Sequence, residues 1–185
     1  MALTPSAMLP LGTPAPDFSL PDTVSGRTLT LADVRGAKAT VVMFLCNHCP
    51  YVKHLNAGLV ALAGEFGSRD IGFVAISSND AKNYPEDAPE KMTAVAKALG
   101  YPFPYLHDAT QAVAKAYQAA CTPDFFVFDA ALKCVYRGRF DGSTPGNGVP
   151  VTGADLRAAL EALKAGKPVP ADQKPSMGCN IKWAR

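Results

Sequence analysis

Ala39-Thr40-Val41-Val42-Met43-Phe44-Leu45-Cys46-Asn47-His48-Cys49-Pro50 is the stretch that decides the fold. Its opening run to Leu45 is apolar and partly β-branched, the composition of a buried strand. Past Pro50, Val52, Leu55, Leu59, Leu62 and Phe66 recur at helical spacing, so a helix follows at once. Cys46 and Cys49, three apart in its first turn, share one face and lie within reach of a disulfide. Orphan N–H groups and the helix dipole stabilise negative charge there, which favours the thiolate that carries thiol–disulfide exchange. Pro50 costs little, because first-turn N–H groups have no partner inside the helix. His48 is expected to add positive charge beside Cys46, lowering its pKa and favouring the reduced dithiol.

A C-x-x-C pair is also half of a zinc site, but tetrahedral zinc needs two more ligands, usually a second close pair. Cys121, Cys134 and Cys179 are scattered singly, so no metal is expected and the redox reading leads. The chain has 185 residues, 48% hydrophobic and 18% charged, with a formal net charge of +2, which suits one globular domain with a full core. No basic run offers a surface for nucleic acid. No apolar stretch approaches the ~20 residues of a membrane helix. Residues 1–10 have neither a basic n-region nor an unbroken apolar segment, so a cytoplasmic location is expected. Five cysteines, an odd number, argue against a disulfide scaffold and for catalytic or unbridged thiols.

Working outward, strands and helices alternate. A short strand near Phe18–Leu20 and a second at Thr28–Leu31, joined through Ser25-Gly26, form an N-terminal hairpin. Ile71–Ser77 is another buried strand, closing a βαβ unit. Residues 79–90, holding Pro85 and Pro89, read as a loop, and a helix runs from Glu90 to Leu99, ended by Gly100. A short extended piece around Pro102–Leu106 and a helix over Ala109–Ala119 follow. Asp124–Asp129 and Cys134–Phe140 form an antiparallel hairpin. A glycine-rich loop leads to a last helix, Ala154–Ala165, stopped by Gly166 and Pro168, and the tail beyond has no clear periodicity.

This order of elements resembles the thioredoxin superfamily, specifically its redoxin branch of peroxiredoxins and thioredoxin-like thiol–disulfide oxidoreductases. The carriers are Ala15-Pro16-Asp17-Phe18, the strand ending in Cys46-Asn47-His48-Cys49-Pro50, and Thr122-Pro123 before the hairpin, within a likeness running from about Gly12 to Ala165. It implies an α/β fold with a central mixed sheet flanked by helices, an N-terminal β-hairpin and an inserted helix and strand. Residues 1–185 then form one domain, with 1–11 as an extension and 168–185 as a tail. Pro123 falls at the superfamily's cis-proline position, so Thr122, Pro123 and Pro50 are expected to shape a substrate groove beside the sulfurs. A cis X-Pro bond turns the chain sharply and removes an N–H, leaving Thr122 with backbone groups for an extended substrate.

The departures matter too. Leu45 and Asn47-His48 stand where thioredoxin has tryptophan and a Gly-Pro spacer, and residues 39–45 hold no buried acid. The peroxidatic pattern P-x-x-x-T-x-x-C finds Val42 and Cys46 when aligned on Cys49, and Ala39 and Met43 when aligned on Cys46. Dithiol exchange is therefore the leading function, with Cys46 as an exposed attacking thiolate and Cys49 as the resolving thiol. Its substrates would be protein or small-molecule disulfides, its electron donor an unidentified one, and no cofactor is implied. A thiol peroxidase of the peroxiredoxin type is the alternative. A third reading is a copper-binding redoxin-like chaperone, since Cys46, Cys49 and His54 suit Cu(I), although such proteins space their cysteines by three residues and place the histidine much further along. His54 otherwise reads as solvated. Cys134 reads as a small buried hydrophobe. Cys121 is close enough to Pro123 to exchange with the dithiol or to pack there. Cys179 sits in a tail that Ile181 and Trp183 could dock, making it either an exposed thiol or an auxiliary resolving thiol.

Overall fold

In the computed structural model, which describes residues 3–184, the chain opens with a short strand β1 (Leu3–Pro5). The hairpin β2 (Ser19–Pro21) and β3 (Thr28–Thr30) follows and pairs antiparallel as expected. A single helical turn, α1 (Leu31–Val34), comes next and was not foreseen. Its signal is Thr30-x-x-Asp33: the Thr30 hydroxyl accepts the Asp33 N–H, and the Asp33 carboxylate accepts the Thr30 N–H, which makes a capping box.

The six residues of β4 (Ala39–Phe44) are all buried, because helices cover both faces of the sheet they lie in. Period-two alternation sorts them. Val41 and Met43 face a cluster with Val52, Leu55, Leu59 and Leu62 of α2 (Pro50–Phe66), while Val42 and Phe44 face a second cluster with Val74 and Ile76. Fully burying each such side chain contributes ~1.5–3 kcal/mol, so the expected stripe on α2 is what fixes this helix to the sheet. Parallel to β4 run β5 (Ile71–Ser77) and then β6 (Tyr105–His107), reached through α3 (Pro89–Leu99), so the inserted helix and strand are present. The helix α4 (Ala112–Ala116) is shorter than the span 109–119. Gln111 adopts a left-handed backbone (φ 62°) at its start, and its side-chain amide is taken by the carbonyls of Ser78 and Lys182. After β7 (Cys121–Thr122) come β8 (Asp124–Asp129), antiparallel to β4, and β9 (Cys134–Gly138), giving the mixed sheet β6-β5-β4-β8-β9. The helix α5 (Ala154–Lys164) buries Leu156 and Leu160 in the same cluster as α2.

The tail departs most from expectation. Met177–Asn180 forms β10, an antiparallel strand lying between β1 and β7. No helix of the described residues is long and apolar enough to cross a membrane.

One close approach locks α1 to the sheet. A Cβ on Gly72 would lie 2.0 Å from the Val34 carbonyl oxygen and 2.8 Å from the Gly36 nitrogen. Both obstacles are backbone, so neither can swing away. Gly72→Ala is expected to cost ~1–3 kcal/mol or more, read as a lower urea midpoint at unchanged slope. A midpoint equal to that of the parent protein would contradict this packing.

Candidate active site

The site forms where β4 gives way to α2. Leu45 still donates its N–H to the Ile76 carbonyl (3.0 Å), so the sheet holds the chain up to Cys46. Cys49 occupies the N-cap of α2 with extended backbone (φ −67°, ψ 122°), and Pro50 takes the first helical position. Across from them lies the Thr122–Pro123 peptide, which is cis. Thr122 touches both sulfurs: its Oγ1 lies 3.2 Å from Cys46 Sγ and its carbonyl oxygen 3.2 Å from Cys49 Sγ. The tail delivers Cys179, whose Sγ is 3.0 Å from Cys49 Sγ. The sequence-derived set of Cys46, Cys49, Thr122 and Pro123 is thus assembled, and Cys179 docks onto it.

The other sequence candidates fare unevenly. Pro50 is exposed at the helix start, and the small cavity beside Pro123 is lined by Tyr51, Leu55, Ser143 and Met177 instead. Cys121 directs its thiol at the Pro123 carbonyl (3.7 Å), and burial pushes its pKa well up. His54 is not simply solvated, since its Nε2 lies 2.7 Å from Ser143 Oγ. The Cu(I) set of Cys46, Cys49 and His54 is therefore not brought together. Cys134 packs in the second cluster as the small buried hydrophobe expected, its thiol pushed up to about 11 by burial.

Cys46 is not exposed either: it and Cys49 are 1% and 0% accessible. Thr122, β10 and the segment around residues 79–87 cover them. That segment supplies the residue that sequence reasoning missed. A 3-10 turn over Pro85–Asp87 buries the Asp87 carboxylate completely behind the Asn47-His48 spacer. Asp87 Oδ1 accepts the N–H groups of Asn47 (2.7 Å) and His48 (3.3 Å). Its Oδ2 accepts Asn79 Nδ2 (2.8 Å) and pairs with His48 Nδ1 (2.6 Å). Tyr84 stacks on the His48 ring at 5.7 Å. The prolines flanking Asp87 in sequence mark a turn, but nothing local distinguishes Asp87 from the exposed Glu86.

This arrangement redirects the electrostatics. The hydrogen bond to Asp87 raises the His48 pKa above 6.5, although burial opposes it. Burial works to raise Asp87, but the bonds from His48 and Asn79 prevail and hold it below 3.8. With His48 matched by Asp87, no uncompensated positive charge faces Cys46. The Cys46 thiol is pushed up by its hydrogen bond to Cys49, by burial and by the Asp87 charge. Of the two thiols Cys49 is the one lowered, chiefly by the Cys46 S–H and further by Cys179 and the Val52 N–H, against burial. A buried acid does stand near the motif, one strand over. Asp124 pairs in register with Phe44, its Oδ2 is unbonded, and burial pushes its pKa well above the usual carboxylate range.

Cys46, His48 and Asp87 offer ligand atoms within 4.8 Å of one another, the one such group among the described residues. A cation there would have to break the His48–Asp87 bond and strip Asn79 and two N–H groups from a carboxylate already saturated by donors. The pair instead predicts a pH dependence of stability. His48 is raised on folding, so its contribution is full below about 6.5 and lost as pH rises through the folded value. Asp87 is lowered, so its contribution is present above about 3.8 and lost as pH falls through the folded value. The unfolding midpoint should thus decline above pH ~6.5, and His48→Gln should flatten that decline. A parallel decline in the variant would assign it to another group.

The family model described as AhpC/TSA family matches residues 11–137. The chain belongs to the AhpC/TSA family. This AhpC/TSA protein therefore sits in the redoxin branch of the thioredoxin superfamily, as its sequence resemblance indicated. A Mycobacterium tuberculosis protein provisionally named a peroxiredoxin is 30% identical over 117 residues, covering 63% of this chain and 69% of the relative. A thiol:disulfide interchange protein DsbE of Allochromatium vinosum is 28% identical over 118 residues, 63% of this chain and 60% of its own length. A crystal structure of an uncharacterized conserved protein from Geobacillus kaustophilus superposes with a TM-score of 0.98 at 59% identity, covering 100% of this chain and 97% of that one. The family match ends before Cys179 and β10, so both lie outside it.

Proposed function

We propose that this AhpC/TSA protein is a thiol–disulfide oxidoreductase working through a Cys46–Cys49 couple. The observation that carries the reading is Thr122, whose hydroxyl and carbonyl address one sulfur each beside Pro123. Cys49 is the thiol held down and Cys46 the one held up, so ionisation of the pair begins at Cys49. Moving a proton from Cys46 to Cys49 places that charge on Cys46, where the Thr122 hydroxyl can donate to it. Cys46 then attacks a substrate disulfide, one substrate thiol leaves, and a mixed disulfide forms. Cys49 attacks the Cys46 sulfur, the second thiol leaves, and the Cys46–Cys49 disulfide remains for an electron donor to reduce. Thr122 and Pro123 present the substrate chain, and the His48–Asp87 pair positions the spacer between the thiols.

Burial of the two thiols favours a second reading, thiol peroxidase, because a peroxide is small enough to reach sulfurs that a folded protein substrate meets only after a cover moves. In that reaction one thiolate takes an oxygen from hydrogen peroxide, breaking the O–O bond, becoming a sulfenic acid and releasing hydroxide; the other thiol then condenses with it, releasing water and forming the disulfide. Insulin reduction and hydrogen peroxide turnover, compared on the same preparation, rank the two. Disulfide reduction dominating supports the oxidoreductase, and peroxide turnover far above it reverses the order.

A further inference from the structure

We propose that β10 is a built-in occupant of the dithiol groove, and that Cys179 exchanges with the Cys46–Cys49 disulfide to lock it there. The inference rests on the dithiol reading above and adds a third thiol and a closed state to it.

Pairing comes first. Cys179 stands directly opposite Thr122 and Asn180 opposite Cys121, so the main-chain edge that an extended substrate would use is filled by the protein's own tail. The fit is close. A Cβ on Gly178 would lie 2.0 Å from the Thr122 carbonyl oxygen and 3.2 Å from Pro123 Cδ, so a side chain here forces the two strands apart. The strand is also held on its far side and at both ends. Leu3, Thr4 and Pro5 pair with Cys179, Gly178 and Met177. Ser6 and Ser176 exchange two hydrogen bonds of 2.9 and 2.8 Å. Beyond Asn180, the Lys182 N–H reaches Asn79 Oδ1 (2.8 Å), and Lys182 Nζ lies over the Tyr84 ring. Asn79 donates in turn to Asp87, so the anchor of the tail and the support of the Asn47-His48 spacer share a residue.

Chemistry comes second. Cys179 Sγ is 3.0 Å from Cys49 Sγ, buried, with no group between them. When Cys46 and Cys49 are joined, the Cys179 thiolate attacks the Cys49 sulfur. The Cys49–Cys179 bond forms, the Cys46–Cys49 bond breaks, and Cys46 leaves as a thiolate that takes up the proton Cys179 gave. One disulfide is exchanged for another, with no electrons gained or lost. The Thr122 hydroxyl, 3.2 Å from Cys46, can donate to the departing sulfur. In the reduced protein, burial and the Cys49 charge hold Cys179 up to about 12. Oxidation of Cys49 removes that charge though not the burial, so ionisation of Cys179 is less opposed once the couple is oxidised. The product tethers β10 across Thr122 and shuts the groove until a donor reduces it.

The test oxidises the full-length chain and its Cys46→Ser variant with one equivalent of diamide, quenches in acid, alkylates and maps disulfides by mass spectrometry. A Cys49–Cys179 bond in both samples, beside Cys46–Cys49 in the parent, is the expected result. Cys46–Cys49 forming without any Cys49–Cys179 overturns this inference alone and leaves the dithiol reading standing. Neither bond forming overturns both. Groove occupancy is read separately in Gly178→Ala: iodoacetamide labelling of Cys49 in the reduced protein should accelerate about tenfold, the ratio that ~1.4 kcal/mol of lost strand pairing gives. An unchanged labelling rate in a folded Gly178→Ala protein overturns the occupancy, and the mapping in the parent chain decides the latch whether or not that variant folds.

Discussion

Cys49→Ser turns the protein from a catalyst into a trap for its substrates. Cys46 can still attack a disulfide, but the sulfur that would displace the bound substrate is gone, so a mixed disulfide accumulates. Turnover of insulin should fall by more than ~10³-fold, the scale on which loss of a nucleophile is felt, while an adduct sensitive to dithiothreitol appears on a non-reducing gel. Cys46→Ser should lose the same activity and trap nothing. The lowered pKa of Cys49 sharpens this contrast. If the charge attacks where it rests, instead of after a proton shift, adducts would collect on Cys46→Ser and not on Cys49→Ser, which would exchange the two roles.

The second large effect is at Asp87. Alanine there leaves two N–H groups, the His48 ring and the Asn79 amide without the carboxylate that all four address. Breaking a buried pair of this kind costs ~3–5 kcal/mol, readable as a lower denaturation midpoint. Asp87→Asn keeps one acceptor and should lose less. Both changes also remove a negative charge from beside Cys46, where that charge now raises the thiol. The pH profile of Cys46 alkylation should therefore move to lower pH in Asp87→Asn. A profile that stays put would remove Asp87 from the electrostatics of the site.

Much of this was legible because its causes are local. The run from Ala39 to Phe66 carries its own periodicities, and Cys46, Cys49 and Thr122-Pro123 announce themselves by residue type and spacing. What escaped depends on distant neighbours. Asp87 matters because residues 47, 48 and 79 turn their donors towards it, and no spacing records that. The strand β10 shows no alternation, since Gly178 and Cys179 are both buried although adjacent. Gly178 is suited to its place by a carbonyl oxygen on Thr122, far back in the chain. The burial of the dithiol was missed for the same reason, because its covers come from the tail and from the 79–87 segment. His54 shows the point in miniature: off the apolar stripe of its helix, it still finds Ser143, a residue of a loop whose path no local pattern reveals.

The place of β10 between β1 and β7 has a consequence for the molecule in company. Lifting it away bares two rows of main-chain donors and acceptors together, one on β1 and one on β7. Unpaired rows of this kind are templates for another chain, and the tail of a neighbouring copy carries the matching sequence. Were β10 to lift, exchange of tails between molecules would be a concentration-dependent side path, reversible only while Cys179 stays unbridged to its new host. Whatever would clear the groove for a substrate would then also ready the protein to join a copy of itself.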